Sequence, residues 1–376
     1  MLKRILRVVF SRTFAFALLA LVQIGVFVAL AYLFAFTGTA AYTVVTVITV
    51  IVVMVIFEQD TLNPAYKLIW ILVIVILPIG GALFYVIWGH NHVPRRNRKR
   101  LNYIEEKVGK VMRRLPAPAQ TMADADEDMQ RQAGYLWHKA AAPVYPAVGV
   151  EYYTIGEEFF PPFLEAIRNA KKYIFMEYFI VEEGVMWSTT LEILKEKAAQ
   201  GVDVRFIYDG FGSMFTAPVN YYKTLRKHGI KCYPFSPFTF TVHLSDYAML
   251  NHRDHRKITV VDGEVAFSGG LNFADEYINA IQRCGLWKDT AFQLRGPAVY
   301  SLVTTFLKAW DYLSGGESDY GTYRPAALPS PVLPEDGFVQ PYDDTPLDNE
   351  NVSENAYLNI INRATKYVYI STPYLI

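Results

Sequence analysis

Apolar positions along this chain fall into two regimes. Between residues 13 and 89 they come in long unbroken runs, and from about residue 145 they recur at the spacings of amphipathic helices and buried strands. Residues 13–36 hold 24 positions without a charge, about the length a helix needs to cross a hydrocarbon core. Residues 41–57 are a shorter, β-branched run. Residues 68–89 are a third, interrupted by Pro78, Gly80 and Gly81, so a helix there is expected to break or re-enter. The first run exceeds the about 7–15 apolar residues of a secretory signal core. Residues 1–92 therefore read as a membrane anchor of two to three hydrophobic segments. Residues 93–144 are first basic, then carry Pro116 and Pro118, then an acidic group around Asp124, Asp126, Glu127 and Asp128, and read as a solvated linker.

The spacing of Phe163, Leu164, Ile167 and Ala170 predicts a helix leading into a strand at 173–180. Leu191, Leu194 and Ala198 mark a second helix closed by Gly201, and 202–208 is the next strand. Further strands are expected at 230–234, 239–244, 255–261 and 264–268, so residues 145–313 read as an α/β domain with a buried mixed sheet. Residues 314–355, rich in Gly, Ser, Pro, Asp and Glu, read as another linker. Residues 364–376 repeat the pattern of 170–180, and 356–376 is expected to begin a second, duplicated lobe.

Composition sharpens this division. At 52% hydrophobic and 19% charged, the chain is too apolar for an ordinary soluble enzyme and too charged to be embedded throughout. The zero net charge argues against a nucleic-acid partner. Lys3, Arg4, Arg7 and Arg12 precede the anchor, and Arg95, Arg96, Arg98, Lys99 and Arg100 follow it. The positive-inside rule then puts both ends, and the α/β domain, on the cytoplasmic face of a multi-pass membrane protein. The same cations would attract anionic headgroups, although a topology signal alone accounts for them equally well. Cys232 and Cys284 have no metal spacing and fit a reduced compartment.

The chemistry concentrates in His255-Arg256-Lys257-Ile258-Thr259-Val260-Val261-Asp262, followed by Ser268-Gly269-Gly270-Leu271-Asn272. In an extended segment His255 and Lys257 share one face while Arg256 and Ile258 share the other. Asp262-Gly263 is a strong hairpin signal. A neutral imidazole can attack phosphorus while Lys257 and Asn272 hold the non-bridging oxygens, Gly269 and Gly270 allow close backbone approach to the phosphate, and Asp262 orients the imidazole. No metal or other cofactor is needed for that chemistry. A competing arrangement takes His252, Asp254 and His255 as zinc ligands.

The HxKxxxxD and GGxN pattern resembles the signature of the phospholipase D superfamily, and its surroundings resemble bacterial cardiolipin synthase. That likeness extends through the apolar N-terminus, Tyr208-Asp209-Gly210-Phe211-Gly212-Ser213, Asn251-His252, Trp287-Lys288-Asp289-Thr290, Gly296-Pro297 and Phe306 to Trp310. It implies transfer of a phosphatidyl group from one phosphatidylglycerol to another through a phosphohistidine, with release of glycerol. It also implies anionic membrane lipids as partners and a bacterial cell membrane as the location. Two such motifs normally face one another in the superfamily, one histidine attacking and the other protonating the leaving alcohol. The HxK pattern occurs once here. The expectation is therefore a fragment or truncated product incomplete for catalysis, with a homodimer as one way to complete the site. Alternative readings are a phospholipase D-like hydrolase or a transferase with another alcohol acceptor, and an inactive membrane protein that binds anionic lipid.

Overall fold

The computed structural model describes residues 21–29, 32, 39–59, 64–89, 95–123, 125–147, 149–237, 252–283, 285–324, 337–345 and 350–372. The expected strand at 239–244, Cys284 and most of the run 13–36 lie outside these. The described residues up to Gly89, with His252, belong to one unit and the rest to a second.

In the first unit residues 21–29 are helical, followed by α1 (Thr39–Phe57), α2 (Pro64–Ile76) and α3 (Pro78–Phe84). The expected break falls at Leu77, which takes φ −127° and ψ 73° because the following proline ring disfavours helical backbone there. The amides of Ile79 and Gly80, freed by the break, both donate to Oε1 of buried Gln23, at 3.1 and 2.9 Å. A glycine is required at 81, where a Cβ would lie 2.7 Å from the Val73 carbonyl. Val47, Ile51 and Met54 of α1 and Leu68, Leu72 and Val75 of α2 are exposed. Among the described residues no helix is long and apolar enough to cross a membrane.

The second unit begins with α4 (Arg95–Met112) and α5 (Glu127–Ala140), where the sequence suggested a solvated linker. The difference has a physical cause: Ile104, Val108 and Met112 recur every fourth residue, forming a narrow apolar stripe that basic neighbours obscure and that is buried in the domain core. Then follow β1 (Tyr145–Pro146), β2 (Val150–Tyr153), α6 (Gly156–Arg168), β3 (Tyr173–Tyr178), α7 (Val185–Ala199), β4 (Asp203–Asp209), α8 (Tyr221–Lys227) and β5 (Lys231–Phe235). The chain continues with β6 (Ile258–Val261), β7 (Val265–Gly269), β8 (Ala291–Arg295), α9 (Val299–Ser314), β9 (Phe338–Val339) and α10 (Val352–Arg363).

Seven strands form one sheet in the order β2-β8-β7-β6-β3-β4-β5. β3, β4 and β5 are parallel, and the other pairings are antiparallel. The expected mixed α/β sheet is thus observed. Alternation along β3 divides the core: Ile174, Met176 and Tyr178 meet α6 and α7, while Phe175 faces α4 and α9 and stacks on Phe306 at 4.8 Å. Truncating a ring such as Phe163 or Phe306, each fully buried, costs about 3–5 kcal/mol.

Two late segments depart from expectation. The stretch after α9 is not merely a linker, since β9 pairs with β1, Tyr145 opposite Val339. Residues 364–372, which repeat the pattern of β3, form no strand and leave Tyr367 and Tyr369 exposed. A strand needs a neighbour for its amides and carbonyls, and none is offered there among the described residues.

Candidate active site

β6 enters the sheet between the C-terminal ends of its two neighbours: Ile258 pairs with Ser268 of β7 and with Glu177 of β3. β4 ends beside β3 at Asp209, and β8 begins beside the end of β7, Ala291 opposite Gly269. Residues 253–257 therefore lie where four strands end or begin. Asp209, fully buried, fixes their approach. Its carboxylate accepts from the amides of Phe211, Gly212 and Asp254 at 2.9, 2.8 and 2.9 Å and from Arg253 at 3.1 Å.

The alternation read from the sequence holds here. His255 is exposed, and its ring rests on Phe179 with centroids 4.7 Å apart. Among the described residues no side-chain hydrogen bond engages its imidazole. Partial burial, and secondarily Lys257, holds it below its ordinary pKa, with Asp254 acting the other way, so the imidazole is neutral at pH 7. Lys257 is buried, donates to the His255 carbonyl at 2.6 Å and lies 5.4 Å from the same Phe179 ring. Burial lowers its pKa to about 8, against the pull of Asp254, Asp289 and Asp209. Arg256, between them, turns to the opposite face, where Asp254 and Glu177 bind it at 3.0 and 2.8 Å.

Asp262 lies elsewhere. With Gly263 it makes the β6–β7 turn, both at positive φ (55° and 72°), and the Glu264 amide closes back on the Val261 carbonyl at 3.0 Å. Its carboxylate accepts from the amides of Lys171, Lys172 and Tyr173 at 2.7, 2.7 and 2.8 Å. The strand β6 separates it from His255. The expectation that Asp262 orients the imidazole is corrected: this aspartate ties the hairpin to the start of β3.

The glycines also serve differently from expectation. The Gly270 amide donates to the Thr290 carbonyl at 2.9 Å. A Cβ at Gly269 would sit 2.4 Å from that carbonyl, and one at Gly270 would sit 2.0 Å from the Asp289 carboxylate. Their close approach is to the entry of β8. Asn272 is buried, accepts from the Ile180 amide at 3.0 Å and donates to the Tyr277 hydroxyl at 2.8 Å, which uses one of its two amide protons.

Sequence reasoning missed Asp289, Phe179 and Asp209 as members of this site. Asp289 is the carboxylate that the fold brings against Gly270 and into the field of Lys257. Its signal was the Trp287-Lys288-Asp289-Thr290 run just before β8. The zinc alternative is not supported: Asp254 faces Arg256 rather than His255's side, and no group of three His, Cys, Asp or Glu among the described residues could hold a metal.

An exposed neutral imidazole beside a buried cation, at the end of a mixed α/β sheet, is an arrangement suited to nucleophilic attack on a phosphodiester. Residues 163–293 match the cardiolipin synthase, PLD-like domain family, and residues 44–90 match the phospholipase D-nuclease N-terminal family. An uncharacterized protein of Streptococcus mutans is 40% identical over 85% of this chain and 67% of its own length. A cardiolipin synthase of Halalkalibacterium halodurans is 30% identical over 89% of this chain and 66% of its own. Among solved structures, the phospholipase D family member Nuc of Salmonella typhimurium covers 46% of this chain and 96% of its own, at 18% identity and a TM-score of 0.32. The chain belongs to the cardiolipin synthase family of phospholipase D-like proteins. It spans about two thirds of the length of the curated relatives it matches.

Proposed function

We propose that this chain carries the membrane anchor and nucleophile-bearing lobe of a phosphatidyltransferase that makes cardiolipin from phosphatidylglycerol. The observation that carries the reading is the pairing of exposed, neutral His255 with cationic Lys257 on one face of the entry to β6. In the proposed reaction His255 attacks phosphorus, the bond to the glycerol headgroup breaks, and that oxygen takes a proton from a second acid. A hydroxyl of another phosphatidylglycerol then gives its proton to the conjugate base of that acid and attacks the phosphohistidine, the P–N bond breaks, and cardiolipin leaves with His255 and the acid restored. Lys257 and the remaining amide proton of Asn272 neutralise charge on the non-bridging oxygens. A second motif, from a second lobe or another copy in a homodimer, would supply the acid. No cofactor enters this scheme.

Anchoring in the bacterial cell membrane is part of the same proposal. It is supported by the 24 uncharged positions at 13–36, by the exposed apolar faces of α1 and α2, and by the match of residues 44–90 to an N-terminal family shared with phospholipase D-like proteins. The basic residues flanking the anchor favour a cytoplasmic catalytic lobe.

The test is conversion of phosphatidylglycerol carrying a labelled glycerol headgroup, in membranes holding this chain or its His255→Ala variant. With a lobe carrying the second motif supplied alongside, labelled glycerol and cardiolipin are expected in equal amounts from the former and neither from the latter. Phosphatidic acid without cardiolipin would replace the transferase with a hydrolase, and cardiolipin from His255→Ala would remove His255 as nucleophile.

A further inference from the structure

The side of β6 away from His255 carries a buried ion cluster that the proposed reaction does not use. Arg256 is bound at 2.8 Å by Glu177 of β3, at 3.0 Å by Asp254 and at 3.5 Å by Asp343, which follows β9. Asp343 also pairs at 2.7 Å with Lys308 of α9, and Lys308 pairs at 3.0 Å with Glu105 of α4. Glu177 and Asp254 are almost wholly buried. Four carboxyl groups thus surround two cations.

Such a cluster is a poor way to gain stability. Each buried ion loses hydration worth several kcal/mol, and well-packed apolar residues of similar volume serve as well or better. What the cluster supplies is direction. A guanidinium is a planar fork with fixed donor geometry, and holding it from three sides fixes the backbone at residue 256. The residues on either side, His255 and Lys257, project to the opposite face, where both lie against the Phe179 ring. Asp209 fixes the same segment from its other end through the Asp254 amide.

We propose that Arg256 is a positioning residue for the nucleophile, clamped by Glu177, Asp254 and Asp343 so that His255 and Lys257 present to one phosphate together. This rests on the reading of His255 as nucleophile. The proton inventory of the cluster fits the clamp. Glu177 is held well above its ordinary pKa, chiefly by burial, and Asp254 below its own, chiefly by Arg256 acting against burial. Glu177 and Asp254 both lie against Arg256, and burial favours the protonated form of Glu177. Neutral Glu177 also reduces the excess of negative charge.

The experiment compares wild type with Arg256→Lys, which keeps the charge and loses the fork, and with Glu177→Gln, which removes a carboxyl from one side of the clamp. Val303→Ala serves as a control that lowers stability from within α9. Two quantities are read at a temperature where all are folded: kcat and KM for phosphatidylglycerol, and the rate at which diethyl pyrocarbonate modifies His255, followed by peptide mass spectrometry without substrate. The proposal expects Arg256→Lys to lower kcat tenfold or more with KM within twofold, and to shift His255 modification at least threefold. Val303→Ala should stay within twofold in both, and Glu177→Gln, a substitution within the clamp, should shift both in the direction of Arg256→Lys. If Arg256→Lys fails to fold, Asp343→Asn replaces it with an expected threefold loss of kcat and a twofold shift in modification. His255 modification within 1.5-fold of wild type in the substituted clamp overturns the proposal. Loss of His255 as nucleophile would show separately, as cardiolipin formed by His255→Ala, while the modification rates still decide whether the clamp sets the imidazole.

Discussion

Replacing Asp262 by alanine separates a structural role from a chemical one. The carboxylate accepts from three backbone amides, and a charged hydrogen bond is worth about 1.5–3 kcal/mol. Two of these amides, at Lys171 and Lys172, are exposed and turn to water when the acceptor goes, so most of the loss falls on the partly buried Tyr173 amide. Together they cost about 2–3 kcal/mol. Alanine must also hold φ 55°, which adds about 1 kcal/mol. The expected total of about 3–4 kcal/mol lowers the melting midpoint by roughly 6–15 °C. Glycine at 262 should recover about 1 kcal/mol of this, because it tolerates positive φ. Thermal unfolding of the purified chain in detergent reads the midpoint, and hydrogen exchange at residues 171–173 reads the local change. Phosphatidylglycerol turnover, measured well below the variant's midpoint, should stay within about threefold of wild type. Loss of an orienting carboxylate in a serine protease costs about 10⁴ in rate. A loss of that order here, with an unchanged midpoint, would refute the structural assignment and return Asp262 to His255.

Other consequences are open to simpler measurements. The reaction needs neutral His255 and cationic Lys257, and both pKa values are lowered, so kcat/KM should rise through a pKa below 6.5 and fall through a pKa of about 8 rather than 10.5. Lys257→Arg should move the alkaline limb upward, and a profile flat to pH 10 would contradict the burial of that ammonium. Gly270→Ala places a Cβ 2.0 Å from Asp289, so turnover should fall at least tenfold; activity near wild type would show that Asp289 can move away freely. Val108→Asp puts a carboxylate into the face of α4 that packs in the core, and should lower stability by more than about 2 kcal/mol in urea unfolding. No change there would mean that residues 95–112 behave as the solvated linker their charges suggested.

Much of the framework was legible where one local rule dominated. The β6–β7 hairpin followed from Asp262-Gly263, since few residue pairs hold two consecutive positive φ values, and the opposed directions of His255 and Arg256 followed from the two-residue period of extended chain. The break near Pro78 followed from the proline ring, which disfavours helical backbone at the residue before it. What escaped depended on partners distant in sequence. The stripe Ile104, Val108, Met112 has meaning only against α9, and β2 and β9 are short strands defined by the strands they pair with. Asp262 looked catalytic because it is near His255 in sequence, yet four strand residues carry it to the far end of β6. Asp289, 34 residues after His255, returns to the site because β8 pairs with β7. The repeat at 364–372 shows the converse: a strand pattern without a neighbouring strand does not make one.

The central claim is that His255 becomes covalently linked to phosphorus. Membranes containing this chain would be mixed with phosphatidylglycerol, quenched in alkaline denaturant because a P–N bond is acid-labile, digested, and analysed by mass spectrometry. A phosphatidyl or phosphoryl adduct is expected on the peptide containing His255, lost in His255→Ala and diminished in Lys257→Ala. Cardiolipin formation with no adduct on that peptide, or with an adduct on another residue, would contradict it.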